Sequence, residues 1–207
     1  LDQEEIQSRF EAHLNLGLYE LANKDLEALK QDKFSTAIKQ EFLIPDLANK
    51  WKHDVWYYSG YYSCVNQDEG FSQEYIDHDS LNLTEEKDWV VLPDFKPADI
   101  PDNMLFSGEM YADAPENSVY YAAKIFTVDE AGIYDLEFDS DDQMKVWING
   151  SLVHSFFHQQ GRGMMMNPER DSAASWLNKG KNLIIIKIIN EILASGFYFE
   201  VAKRQEK

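Results

Sequence analysis

The sequence predicts a mainly β protein, an antiparallel β-sandwich of jelly-roll type preceded by an N-terminal helical hairpin. Three observations carry this expectation. From Trp51 onward, short β-prone runs alternate with clusters of Asp, Asn, Gly and Pro, the pattern of stacked antiparallel sheets. None of the gaps between those runs reads as a helix, which a parallel α/β sheet would need. Before Trp51, by contrast, Ile6, Phe10, Leu14, Leu18 and Leu21 share one face of a helix.

The helical segment opens with Asp2 and Glu5, spaced as a capping box. After a break at residues 31–33 a second pattern runs through Phe34, Ala37, Ile38 and Phe42, and Pro45 biases Ile44 away from helix. The organisation expected is a helical segment over 1–50, packed on a β-sandwich domain over 51–207. Candidate strands are 55–58, 89–92, 119–127, 132–138, 144–148, 152–157, 182–190 and 196–201. Residues 66–118 read as long loops and short edge strands. The run 183–189 is apolar except for Lys187, which suits a central strand buried on both faces, or one whose lysine snorkels to an edge. Turns at 129–132 and 178–182 each carry a glycine, Gly132 and Gly180, where positive φ is expected.

The hairpin signal is strongest at Asn149-Gly150, since both residues tolerate positive φ. Ahead of it Met144, Val146 and Ile148 alternate with Gln143, Lys145 and Trp147, so one face of that strand is buried. Trp147 falls on the opposite face, where its ring either packs under a second layer or stacks on a sugar ring. Asp139, Asp141 and Asp142 crowd the preceding turn. Carboxylates so close repel unless they are solvated, bonded by backbone N–H groups, or neutralised by a cation.

A net charge of −18 excludes a phosphate-backbone partner, which needs clustered Lys and Arg, and disfavours an anionic membrane surface. A neutral or cation-bridged ligand fits better. No apolar run reaches the roughly 18 residues of a membrane-spanning helix, so membrane insertion is not expected. Cys64 is the sole cysteine, so it forms no internal disulfide. The chain starts at Leu1 without an initiating Met, which reads as a processed end or a segment boundary.

Several segments together resemble the galactose-binding-like jelly roll found as an accessory domain in bacterial carbohydrate-active and surface proteins. They are 119–124, 130–136, 140–150, 177–187 and 196–201. The likeness covers 119–201, is looser over 51–118 and is absent from the helices. It implies a fold more firmly than a function, because such folds include both sugar binders and spacers. The pair Asp141-Asp142 is also similar to the acidic dipeptide of the anthrax-protective-antigen-type sugar-binding sandwich. There, two consecutive aspartates hold a calcium ion whose shell is completed by sugar hydroxyls. The resemblance therefore implies Asp139, Asp141 and Asp142 as metal ligands and Ca2+ as the cofactor. The further Asn and carbonyl ligands of that family are not placed in this sequence.

The resemblance also puts the loop from His154 to Arg170 at one rim. Arg162, between Gly161 and Gly163, is its candidate ligand contact; His154, His158 and Met164–Met166 suggest the weaker alternative of a soft metal. No catalytic motif is present, and abundant carboxylates alone do not make a glycosidase. The function expected is a non-catalytic carbohydrate-binding module of an extracytoplasmic bacterial protein, periplasmic, cell-surface or secreted. Glycan would bind through Asp141, Asp142, Trp147 and Arg162. The alternative is a structural or protein-interaction module, without a small ligand, that docks on other domains of the same polypeptide or complex.

Overall fold

The computed structural model describes residues 48–76, 89–91, 94–95, 104–107, 115–157, 170–192 and 195–203, with Arg9, Phe10, Ala12, His13, Leu21 and Lys24, which are helical. The helical hairpin expected over 2–42 thus lies almost wholly outside the described residues, as do Arg162, His158 and the three consecutive methionines.

A 3-10 turn, Ala48–Lys50, leads into β1 (Trp56–Ser63) and the short helix α1 (Gln67–Ser72). Three brief strands follow, β2 (Val90–Val91), β3 (Asp94–Phe95) and β4 (Met104–Ser107). The longer strands are β5 (Ser118–Val128), β6 (Gly132–Ser140), β7 (Gln143–Ile148), β8 (Ser151–Phe156), β9 (Asp171–Leu177), β10 (Gly180–Asn190) and β11 (Gly196–Lys203). They pair antiparallel into a six-stranded sheet, β2-β1-β5-β10-β7-β8, and a five-stranded sheet, β3-β4-β11-β6-β9.

Side chains of both sheets meet in one apolar cluster, which makes the architecture a sandwich. Ala122, Val146, Ile184, Ile186 and Ile188 come from the larger sheet, and Leu136, Phe138, Phe197 and Phe199 from the smaller. Full burial of an aliphatic or aromatic side chain of this size contributes about 1.5–3 kcal/mol. The odd-numbered residues of β10 point the other way. Leu183, Ile185 and Ile189 join Val119, Tyr121 and Trp147 in a second cluster on the outer face of the six-stranded sheet. Ala48, Trp51 and Ile76 belong to that cluster, and Trp51 stacks on Tyr57 at 4.3 Å. Both faces of β10 are therefore covered, as the apolar run predicts.

The segment 64–76 lies as a strap on this outer face. Its helix starts at Asn66, whose Oδ1 accepts from Glu69 N at 2.9 Å, while the Glu69 carboxylate receives the N–H of Val65 at 2.5 Å. A Cβ at Gly70 would stand 3.0 Å from Cys64 Sγ and from Ile189 Cγ2, so any larger residue would make those side chains give way. Lys187 does not snorkel to an edge. It is fully buried, and its ammonium donates to Phe71 O (3.2 Å) and Gln73 O (2.5 Å).

The β7–β8 hairpin turns through Asn149 (φ 48°) and Gly150 (φ 80°), both in the left-handed region, as a two-residue primed turn requires. Gly180 has φ 90° as expected, whereas Gly132, expected to be alike, opens β6 without positive φ. The Asn149 side chain also reaches across to β10. Its Oδ1 accepts from Leu183 N at 2.9 Å and its Nδ2 donates to Asn182 Oδ1 at 2.8 Å. Asn149→Ala leaves the buried Leu183 N–H without its acceptor and strains φ, so we expect a loss of about 2 kcal/mol. Urea denaturation reads this as a lower midpoint at unchanged slope, with Ser151→Ala within about 0.5 kcal/mol of the parent.

Candidate functional site

The acidic turn joins β6 to β7 at one rim of the sandwich. Asp142 adopts φ 64°, a conformation that Asp tolerates better than most residues. Ser140 fixes the turn twice: its N–H donates to Asp139 Oδ1 at 2.9 Å and its hydroxyl to Asp142 O at 3.0 Å. Asp141 N donates to Gly196 O (2.9 Å) at the start of β11, and Glu191 N donates to Asp142 Oδ2 (2.7 Å) at the end of β10. Further out, Asn117 N donates to Glu191 O (3.0 Å) and Cys64 N to Asn117 O (2.9 Å). One chain of hydrogen bonds thus runs across the rim from the strap to the acidic turn.

Asn190, the last residue of β10, contributes a feature that the strand pattern does not announce. It is fully buried, and its Nδ2 donates to Pro115 O at 3.1 Å, an oxygen that also accepts from Ser118 Oγ at 2.6 Å. That bond fixes the orientation of the amide. Its Oδ1 is sealed from solvent and receives no hydrogen bond from the described residues. A buried acceptor left without a donor costs about 1–3 kcal/mol. The neighbouring carboxyls differ in that both accept backbone hydrogen bonds, but they too are poorly solvated. Burial, then the charges of Asp142 and Asp139, push the Asp141 carboxyl up to about 6. Burial also raises Asp142, against the opposing effect of its bond from Glu191 N. The rim therefore gathers acceptor oxygens whose charge is poorly solvated, a setting that favours a donor or a cation.

The expected site residues are distributed unevenly. Asp141 and Asp142 stand together at the rim. Trp147 does not offer an exposed ring: it is 6% exposed and packs in the outer cluster, because the strap and residues 48–51 cover the face to which alternation assigns it. The calcium set Asp139, Asp141 and Asp142 does not form as three converging ligands. Asp139 turns back on Ser140 N and Asp142 on Glu191 N, and among the described residues no three His, Cys, Asp or Glu side chains are placed to hold a metal ion. His154, of the alternative soft-metal reading, is engaged elsewhere. Its Nε2 lies 3.0 Å from Asp171 Oδ2 and its ring stacks on Phe138 at 5.1 Å. Arg162 falls outside the described residues.

No protein-family model matches the chain, and no curated protein matches it. Solved structures with partial likeness include a β-glucosidase from Kluyveromyces marxianus in complex with glucose, at 14% identity and TM-score 0.39. That match covers 73% of this chain but only 16% of the β-glucosidase. The PA14 sugar-binding domain from an RTX adhesin is 13% identical with TM-score 0.37, covering 72% of this chain and 89% of the domain. A family 35 carbohydrate binding module from Clostridium thermocellum is 16% identical with TM-score 0.30, covering 49% of this chain and 89% of the module. Among the described residues, no helix is long and apolar enough to cross a membrane.

The raised Asp141 carboxyl has a consequence for stability. A carboxyl whose pKa rises on folding favours the native state only while protonated. Its contribution is complete below the unfolded value of 3.8 and is lost as pH rises through about 6. Asp141→Asn, with no charge to desolvate, is expected to melt about 2–4 °C above the parent at pH 8 in EDTA, about 1 kcal/mol after discounting for partial exposure. The difference should vanish at pH 3.5. Equal melting temperatures at pH 8 would show that the carboxylate is well solvated there.

Proposed function

We propose that this chain is a non-catalytic carbohydrate-binding module of an extracytoplasmic protein. Glycan hydroxyls meet it at the acidic turn of Asp141 and Asp142, beside which Asn190 is buried. The observation that carries this reading is the Asn190 carboxamide oxygen, buried beside that turn and without a donor among the described residues. Vicinal sugar hydroxyls are donors, and carboxylate and carboxamide oxygens are the acceptors they need.

Calcium enters the proposal through the same oxygens. Asn190, Asp141 and Asp142 offer only oxygen donors, which would suit a hard cation that takes 6–8 oxygens. These residues, rather than Asp139, would hold it. When bound, the ion would neutralise the turn and present open coordination positions to a diol. The acidic turn, Ser140 and Pro115 would keep the protein oxygens in place. A galactose-binding-like jelly-roll topology and the bacterial source belong to this proposal, as does service to other domains of the same polypeptide.

A glycan array and calcium titration followed by melting temperature, each with an EDTA control, test the proposal. Calcium at about one hundred times its dissociation constant is expected to stabilise the native state by about 2.7 kcal/mol, a rise of roughly 5–10 °C. Asn190→Leu removes the orphaned acceptor. It should fold with at least parental stability in EDTA, yet lose both the calcium response and glycan binding. Retention of glycan on any array by Asn190→Leu at parental affinity would remove the rim from consideration. Absence of binding by the parent in both conditions would favour the structural or protein-interaction reading.

A further inference from the structure

Lys187 interrupts an otherwise apolar strand core at a position where an apolar residue would bury as well. The neighbours Ile185 and Ile189 on the same face are almost wholly inaccessible, and so is the lysine. Burial depresses its pKa to about 8, which reports the cost of withdrawing its charge from water. Replacing a whole buried ion pair by well-packed apolar side chains is often neutral or stabilising, whereas removing one partner leaves the other uncompensated. An apolar residue with apolar surroundings would thus serve stability as well as this lysine and its partners do.

Its contacts account for this lysine. The ammonium has three donors, and the strap supplies three acceptors: Phe71 O at 3.2 Å, Gln73 O at 2.5 Å and the Glu74 carboxylate at 3.5 Å. Glu74 is shared. Its Oε1 pairs with Lys145 on β7 at 2.8 Å, and Tyr121 on β5 donates to Oε2, the oxygen Lys187 contacts, at 3.2 Å while accepting from Tyr75 N at 3.1 Å. Three adjacent strands thus converge on a short stretch of strap by charge and hydrogen bonding. An apolar outer face alone would let the strap slide, since apolar contact is non-directional. The strap then runs back to the rim, where Gln143 Nε2 donates to Gln67 Oε1 at 2.5 Å and Gln143 follows Asp142 directly.

We infer that Lys187 is a positioning residue: it fixes the register of the 64–76 strap on the six-stranded sheet, and through Gln67 and Cys64 the strap braces the acidic rim. Lys187 itself touches no ligand. The link from strap to ligand rests on the glycan-binding reading; the register does not. Buried polar groups that set register at some cost in stability are known from other folds.

Hydrogen exchange read peptide by peptide tests this in the full chain. Lys187→Met is expected to lower protection over residues 66–76 at least ten-fold, while β5 and the rest of β10 keep theirs. Calcium or glycan affinity should fall at least ten-fold. Glu74→Gln keeps the two carbonyl acceptors and loses the shared charge, so its strap should lose protection by a smaller factor, about three-fold. Parental protection over 66–76 in Lys187→Met would overturn the inference. So would equal loss across 66–76, β5 and β10, because that marks the lysine as merely structural. If the parent binds neither calcium nor glycan, the rim reading fails while the exchange data still decide the register.

Discussion

The double burial of β10 is the constraint on which the rest of this structure depends. A strand in mid-sheet satisfies its backbone through two neighbours, here β5 and β7, but its side chains demand cover on both faces. The inner face, through Ile184, Ile186 and Ile188, calls for the second sheet. The outer face, through Leu183, Ile185 and Ile189, calls for the strap and the residues around Trp51. At its carboxyl end the same strand delivers Asn190 and Glu191 to the acidic turn. The candidate site is therefore not a separate device mounted on the fold. It is where the most constrained strand runs out of partners.

That origin explains the chemistry of the rim. Strand ends and turns expose backbone N–H groups, and short acidic side chains satisfy them: Asp142 serves Glu191 N and Asp139 serves Ser140 N. Capping and ligand binding are usually weighed as rivals for such aspartates. Here the capping role is the one in place: Asp142 spends one oxygen on the neighbouring connection, while burial leaves the Asp141 and Asp142 charges poorly solvated. The strain at Asp142 and the sealed amide oxygen of Asn190 persist because the surrounding bonds over-determine them.

Much of this was legible in the residues. Period-two alternation assigned Met144, Val146 and Ile148 to one face and Trp147 to the other, and Asn149-Gly150 announced its hairpin. Alternation cannot say what covers the second face, so Trp147 as an exposed platform was a fair reading that the strap contradicts. Strand β9 escapes the pattern because Trp176 is its one β-branched or aromatic residue among seven; its place comes from pairing with β6. Helix α1 escaped because six residues are too few to show a period, and tertiary contacts hold it in place. Asn190 was read as the end of a strand. Its role depends on Pro115, 75 residues away, claiming the amide nitrogen and leaving the oxygen, a pairing that no local pattern encodes.

The Asn149 network also bears on how this molecule ages. Asparagine followed by glycine loses ammonia when the next backbone nitrogen attacks the side-chain carbonyl carbon, a step that needs the amide free to swing toward the chain. In the folded protein both ends of that amide are tethered, the oxygen to Leu183 N and the nitrogen to Asn182. Succinimide formation at this hairpin is thereby confined to moments when β7 and β10 have parted. Chemical wear at Asn149 would then record how often that end of the β7–β10 ladder comes open.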